Sequence, residues 1–349
     1  MAATLREVAE RAGVSVRTVS NVVNDYPHVA PKTRAIVQRA LDELGYQPNP
    51  LARSLRQGRS GLVGLVIPEL DVPYFAELSR AVLHEARALG LTVVVDQTDG
   101  ELAREREVIV RGQGSAMYDA VIASPVSLTS TDLKARRSTA PLILIGERIA
   151  GGGVDHVMVD NVAAAHDATA HLISSGRRRI AAIGESWNRP ATTAHLRTEG
   201  YRAALTAAGL PVDPELIVAT RYLHRADGVQ ALDRLMSLAQ PPDAIFCYND
   251  LLALGVLHAA AHRGVRVPDD LAVVGFDDIE DGRYSRPTLT TISPDRRQIA
   301  RLAVEMLQRR LDGDTAPAAE LRANYQLIVR ESSGAAQSAA PRQRPTGGR

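Results

Sequence analysis

Residues 4–24 read TLREVAERAGVSVRTVSNVVN, and this stretch decides what stands at the front of the chain. Val8, Ala9 and Ala12 recur at helical spacing before Gly13 breaks the run. A second apolar set, Val19, Val22 and Val23, follows a fresh start at Ser15. Thr4 with Glu7 three residues later is a capping box, so the first helix begins there. Glycine has no Cβ and takes positive φ cheaply, which suits Gly13 to the corner between the two helices. The pattern is that of a helix-turn-helix. The exposed face of its second helix carries Ser15, Arg17, Thr18, Asn21 and Asn24. Short polar groups and a guanidinium are what read base edges and phosphates. The plainer reading of the segment is a helical hairpin opening an α/β protein.

The stretch HVAPKTRAIVQRALDELGYQPNPLARSLRQGRSGLVGLVIP, residues 28–68, resembles the continuation of a LacI-family transcriptional regulator. The resemblance runs to about residue 331 and so covers nearly the whole chain. A third helix, Pro31 to Leu44, would bury Thr33, Ile36, Val37, Ala40 and Leu44 and complete a three-helix headpiece. The resemblance implies that Ser15, Val16, Arg17, Thr18, Ser20, Asn21 and Asn24 form the recognition helix, with Val16 and Arg17 choosing bases. Asn21 stands where the family often has arginine or histidine. Thr4, His28 and Thr33 are expected on phosphates. Ala30 departs from the serine that commonly caps the third helix, although Pro31 supports the first turn.

The segment QPNPLARSLRQG resembles the family's hinge. Residues 50–57 make about two turns, too few for an isolated helix to be stable. Leu51, Ala52 and Leu55 form its apolar face. In the family two such helices pair over the minor groove, and the leucine matching Leu55 wedges into a base step. Folding and DNA binding would then be coupled.

At 349 residues the chain is long enough for two or three domains. Hydrophobic residues make up 45% and charged residues 23%, a globular balance. The apolar run Leu62 to Ile67 is far too short to span a bilayer, and the N-terminus lacks a signal-peptide core. A cytoplasmic protein, on the nucleoid when bound to DNA, is expected. Its one cysteine, Cys247, excludes an internal disulfide and multi-cysteine metal sites. Residues 1–60 carry nine Lys/Arg against five Asp/Glu, whereas 61–330 carry 29 against 34. A basic front on a mildly acidic body fits a nucleic-acid reader attached to something else.

From residue 61, apolar runs at 61–68, 92–98, 120–125, 142–146, 179–185, 244–250 and 271–278 end in polar residues. They read as parallel strands covered on both faces. Helical patterns such as Phe75–Leu89, Ala163–Ser174 and Leu252–Arg263 lie between them, which means doubly wound sheets. GLVGLVIPELDVPYF and RIAAIGESWN open two similar halves. The expected fold is a small all-α helix-turn-helix headpiece (1–47), a hinge (48–60) and an α/β two-lobed periplasmic-binding-protein-like core (61–331). By resemblance the N-lobe takes about 61–160 and 293–322, and the C-lobe 161–292 and 323–331. Residues 332–349 lack aromatics and periodicity and read as a disordered tail. Some family members end in a leucine heptad that makes tetramers, but no leucine follows Leu327, so a homodimer is expected.

Ligands of doubly wound sheets lie at the carboxyl ends of the strands. Aromatics are only 4% of the chain, yet Tyr74, Phe75, Trp187, Tyr248 and Phe276 sit just after such strands, where rings could stack. Asn249, Asp250, Asp277 and Asp278 end strands beside them, and Arg197 opens a helix. In related sugar repressors, residues matching Arg197, Asp277 and Asn249 grip ligand hydroxyls; Asn161 is a further candidate. The competing reading has these polar residues capping turns, and Asp250 and Asp278 are taken as structural. The histidines offer no His-x-x-x-His pair in a clear helix, and His166 with His171 is spaced awkwardly for one face. Gly112-Gln113-Gly114 lacks a phosphate-loop context. No enzyme, metal or cofactor is expected. The reading is a repressor of carbohydrate genes that binds double-stranded operator DNA and is released by a sugar. A corepressor-driven relative answering to a purine, a nucleoside or a phosphoprotein is the alternative. A solute-binding protein is disfavoured by the headpiece.

Overall fold

The computed structural model describes residues 3–24, 26–46, 60–112, 118–146, 149, 152–186 and 193–334. The chain divides into two compact units, Met1–Gly61 and Leu62–Arg349.

The first unit holds three helices, α1 (Leu5–Ala12), α2 (Val16–Val23) and α3 (Pro31–Glu43). The capping box closes the start of α1: Glu7 N donates to Thr4 Oγ1 at 3.3 Å, and Thr4 N donates to Glu7 Oε2 at 2.7 Å. That backbone hydrogen bond, with the one from the Thr4 hydroxyl, holds the Glu7 carboxyl below the usual range. Gly13 ends α1 at φ 66°. Ser15 caps α2, and Pro31 opens α3 without a side-chain cap from Ala30. The core is Val8, Ala9, Val19, Val22, Val37, Ala40 and Leu41. Two expected core residues are corrected: Ile36 is 40% and Leu44 37% exposed, and Leu41 takes the inward place.

The second unit contains two six-stranded sheets. One is built from β1 (Leu62–Ile67), β2 (Thr92–Gln97), β3 (Ala120–Ala123), β4 (Leu142–Ile145), β5 (Asp155–Val159) and, far along the chain, β11 (Glu320–Ala323). Its order is β11-β5-β4-β3-β1-β2, all parallel, with Leu65 opposite both Val95 and Ile122. The other contains β6 (Ile180–Glu185), β7 (Ile217–Ala219), β8 (Ala244–Cys247), β9 (Ala272–Phe276), β10 (Thr290–Pro294) and β12 (Tyr325–Ile328). Its order is β12-β10-β9-β8-β6-β7, parallel except that β12 runs against β10.

Helices cover the faces, as the continuous apolar runs require. Leu78 and Val82 of α4 (Pro73–Ala88) share a core with Ile299, Ala300 and Ala303 of the helix Arg296–Leu311. Two short helices, α5 (Leu102–Glu105), continued by a π-turn at Arg106–Val110, and α6 (Ser130–Lys134), belong to the same lobe. In the other lobe α7 (Asn161–Ser174), α8 (Thr193–Ala207), α9 (Arg225–Met236), α10 (Asp250–His262) and α11 (Glu280–Tyr284) alternate with the strands. The helix at 296–311 is α12. The chain passes between sheets after β5, between β10 and α12, and between β11 and β12. The tail boundary shifts: Ser332 and Ser333 are buried, and Ser332 Oγ donates to Val273 O at 2.6 Å.

Among the described residues, no helix is long and apolar enough to cross a membrane.

Candidate functional site

The headpiece presents one face of α2. Ser15 and Arg17 are exposed and Val16 is 42% exposed, so the two positions expected to choose bases point outward. Around them the polar groups are pre-ordered. Ser15 Oγ accepts from Thr18 N at 3.1 Å and lies 2.8 Å from Thr18 Oγ1. Asn24 folds back, donating from Nδ2 to Ser20 O at 2.7 Å. Ser20 and Asn21 are half-buried beside the core. Thr4 is engaged in its cap, Thr33 is half-buried, and exposed His28 packs edge-on against Tyr26 with ring centroids 5.5 Å apart. Leu51, Ala52 and Leu55 lie outside the described residues.

Between the two sheets of the second unit lies a cleft of about 580 Å³. It is lined by the carboxyl ends of strands from both lobes, as doubly wound sheets dictate. Tyr74, Phe75, Arg197, Asn249 and Asp277 all face it, having come from four separate helix and strand ends. Trp187 lies outside the described residues, and Tyr248 is fully buried behind the wall.

Arg197 is the best-supported side chain of the group. It is 8% exposed, its Nε donates to Asn161 Oδ1 at 2.7 Å, and Nη1 donates to Tyr248 O. Its guanidinium carbon is 3.5 Å from the centroid of the Phe276 ring. Asn161 is not among the described lining residues: it stands behind Arg197 and fixes its direction. Asn249 is engaged twice, accepting at Oδ1 from Leu252 N at 2.9 Å and donating from Nδ2 to Leu223 O at 2.8 Å. It caps α10 and braces the loop that carries Tyr222 and His224.

Asp277 and Asp278 form a strained turn, with φ 119° and 53°. Such conformations cost about 1–3 kcal/mol each and survive only where neighbours hold them. Asp277 N donates to Ile292 O at 2.8 Å, and Ile279 N donates to Asp250 Oδ2 at 2.9 Å. Asp250 is fully buried, and burial, reinforced by the Asp277 charge, pushes its carboxyl well above the usual range. Asp278 behaves oppositely. Burial pushes it up, but the hydrogen bond and charge of Arg330, with Ser293 and Arg283, hold it below the usual range. Arg330 Nη2 donates to Asp278 Oδ1 at 2.5 Å. Both aspartates are structural, leaving Asp277 on the cleft.

Several lining residues escaped the sequence reading: Glu69, Asp99, Arg221, Tyr222 and His224. Tyr222 obeys the rule that aromatics follow strands, but three-residue β7 was too short to be recognised. Glu69 and His224 come from opposite lobes and meet at 2.8 Å, a pairing without a local signal. The expectation that no His-x-x-x-His pair lies in a clear helix is corrected: His258 and His262 share α10, with ring centroids 4.5 Å apart. Among the described residues no three His, Cys, Asp or Glu side chains group as metal ligands.

The comparisons with known proteins decide the lineage. Residues 4–49 match the model of bacterial regulatory proteins of the lacI family, and 169–333 match a periplasmic binding protein-like domain. The chain is 31% identical to catabolite control protein A of Priestia megaterium over 95% of this chain and 100% of that protein. This chain belongs to the lacI family. It is therefore a DNA-binding transcriptional regulator with a two-lobed periplasmic-binding-protein-like core. The lac repressor dimer bound to operator and the anti-inducer ONPF superposes with a TM-score of 0.85 at 26% identity, over 96% of this chain and 100% of that one. The complex of the transcriptional regulator CelR with cellobiose gives 0.69 at 31% identity, over 95% and 99%. In this lacI-family regulator the α2 face and the interlobe cleft are the two candidate binding surfaces.

Proposed function

We propose that this regulator acts in the cytoplasm as a homodimeric repressor that a small sugar releases from a pseudo-palindromic operator. The observation that carries the ligand class is the convergence of Arg197, Asn249 and Asp277 with Tyr74 and Phe75 on one cleft. A guanidinium, an amide and a carboxylate supply donors and acceptors for vicinal hydroxyls, and aromatic faces cover sugar rings. Cellobiose bound to the similar CelR supports the same class. The lac repressor dimer on its operator supports the dimer and the DNA mode, with α2 in the major groove. In this reading the cleft binds without catalysing. In this reading Leu55 takes the wedge role of the family's hinge, so Leu55→Ala lowers specific operator affinity and spares non-specific binding. Unchanged operator affinity in that variant rejects the wedge.

A thermal-shift panel of cellobiose, monosaccharides, sugar phosphates, nucleosides and purines tests the ligand class. A ligand at 100 times its Kd stabilises the native core by about 2.7 kcal/mol. A sugar that shifts melting and lowers operator affinity supports the reading. A purine that raises operator affinity replaces it with corepression.

A further inference from the structure

Arg296 opens α12 where the chain crosses from β10 into the first lobe, and its side chain is only 14% exposed. Its guanidinium reaches three acceptors. Nη1 donates to Asp277 O, and Nη2 donates to Asp278 O at 3.2 Å. Nη2 also stands 3.0 Å from Glu77 Oε2 on α4. Glu77 follows Tyr74 and Phe75 on that helix, so α4 supplies the first-lobe wall of the cleft. The two carbonyls belong to the left-handed turn that carries Asp277 on the second-lobe wall. A planar guanidinium with five donors in a fixed fork can serve carbonyls and a carboxylate together, whereas an ammonium is a single point of charge.

Taking the cleft as the effector site, we infer that Arg296 is a positioning residue that couples its two walls. It holds the Asp277 turn in its strained, ligand-ready form and ties that turn through Glu77 to α4. A polyhydroxylated ligand engaging Asp277 is thereby registered at Tyr74 and Phe75, and movement of α4 alters how Asp277 is presented.

Hydrogen exchange by mass spectrometry on the full-length protein tests this without any ligand. Arg296→Met is expected to speed exchange about tenfold in peptides over 276–280 and over 75–80, the scale of losing a hydrogen bond to a charged group. Peptides over 180–185 and 244–247 stay unchanged. Glu77→Gln, a change in the first lobe, speeds exchange at 276–280 in the second. Unchanged exchange at 276–280 in either variant, or an equal rise in all peptides, overturns the inference. Cellobiose then serves as the probe: in the wild type it protects both 276–280 and 75–80, and in Arg296→Met the two responses separate. Joint protection persisting in that variant also overturns the coupling. Absence of protection by any panel sugar in the wild type counts against the sugar reading, while the ligand-free comparison still decides Arg296.

Discussion

Arg17 is the residue proposed to choose a base. It is exposed on α2 beside Val16, on a helix whose start is fixed by Ser15. Arg17→Ala is expected to lose discrimination of about 1–3 kcal/mol at one base pair, read by fluorescence anisotropy against half-site variants. Equal weakening on every variant would show a phosphate anchor instead. Asp278 carries a different prediction. Its side chain is 6% exposed and paired with Arg330, so Asp278→Asn leaves a largely buried guanidinium, 16% exposed, without its carboxylate. The expected cost near neutrality is about 3–5 kcal/mol in urea unfolding. Because the folded carboxyl titrates below the usual range, its contribution is present above the unfolded value near 3.9 and is lost as the pH falls through the folded value. The wild-type and variant stability curves should converge in acid; parallel curves would exclude the carboxylate charge as the cause. At this scale the sequence was legible where a residue acts on its neighbours. The Thr4–Glu7 box and the Ser15 cap are local, whereas Ile36, Leu44 and Leu41 share one helical periodicity whose phase is chosen by what α1 and α2 cover.

Elements pack through features that periodicity does not register. Helices α9 and α10 cross backbone to backbone: a Cβ on Gly228 would overlap Leu252 O, and one on Gly255 would overlap Arg225 O. His224 precedes α9 and Asn249 precedes α10, and both line the cleft. Gly255→Ala is expected to cost about 1–3 kcal/mol by overpacking and to weaken ligand binding as the two helix starts part. Wild-type melting and affinity in that variant would show that the crossing relaxes freely. The strands that escaped the sequence reading have physical reasons too. In β5 the run DHVMV opens with two polar residues, and tertiary partners satisfy the first of them. Asp155 Oδ2 accepts from Arg310 Nε at 2.6 Å, and its Oδ1 accepts from Ala319 N at 2.9 Å. Strands β11 and β12 are half-exposed edges recruited from the end of the chain, so they lack the apolar runs of central strands.

For the whole molecule, ligand and operator must act reciprocally. If a sugar lowers operator affinity by some factor, operator DNA lowers sugar affinity by that same factor. Isothermal titration with and without operator measures both legs, and equal sugar affinity in the two titrations would dismiss that sugar as the inducer. Labelling for interlobe distance measurements is simplified because Cys247 is fully buried and burial pushes its thiol pKa well up. Introduced surface cysteines would react ahead of it.

The helix-turn-helix, the alternation of strands with helices, and the lineage were written in the sequence itself. Each rests on short-range regularities: a cap three residues from its partner, a glycine at a corner, apolar runs between polar ends. That Tyr74, Phe75, Arg197, Asn249 and Asp277 line one cleft was also legible, because the rim of doubly wound sheets is built from strand ends and helix starts in order along the chain. Tertiary structure alone decided that Asn161 stands behind Arg197, that Glu69 meets His224, and that Arg296 spans Glu77 and the Asp277 turn. Those contacts join residues from different elements, some in opposite lobes. Their geometry is set by how two sheets face each other, which no local pattern encodes.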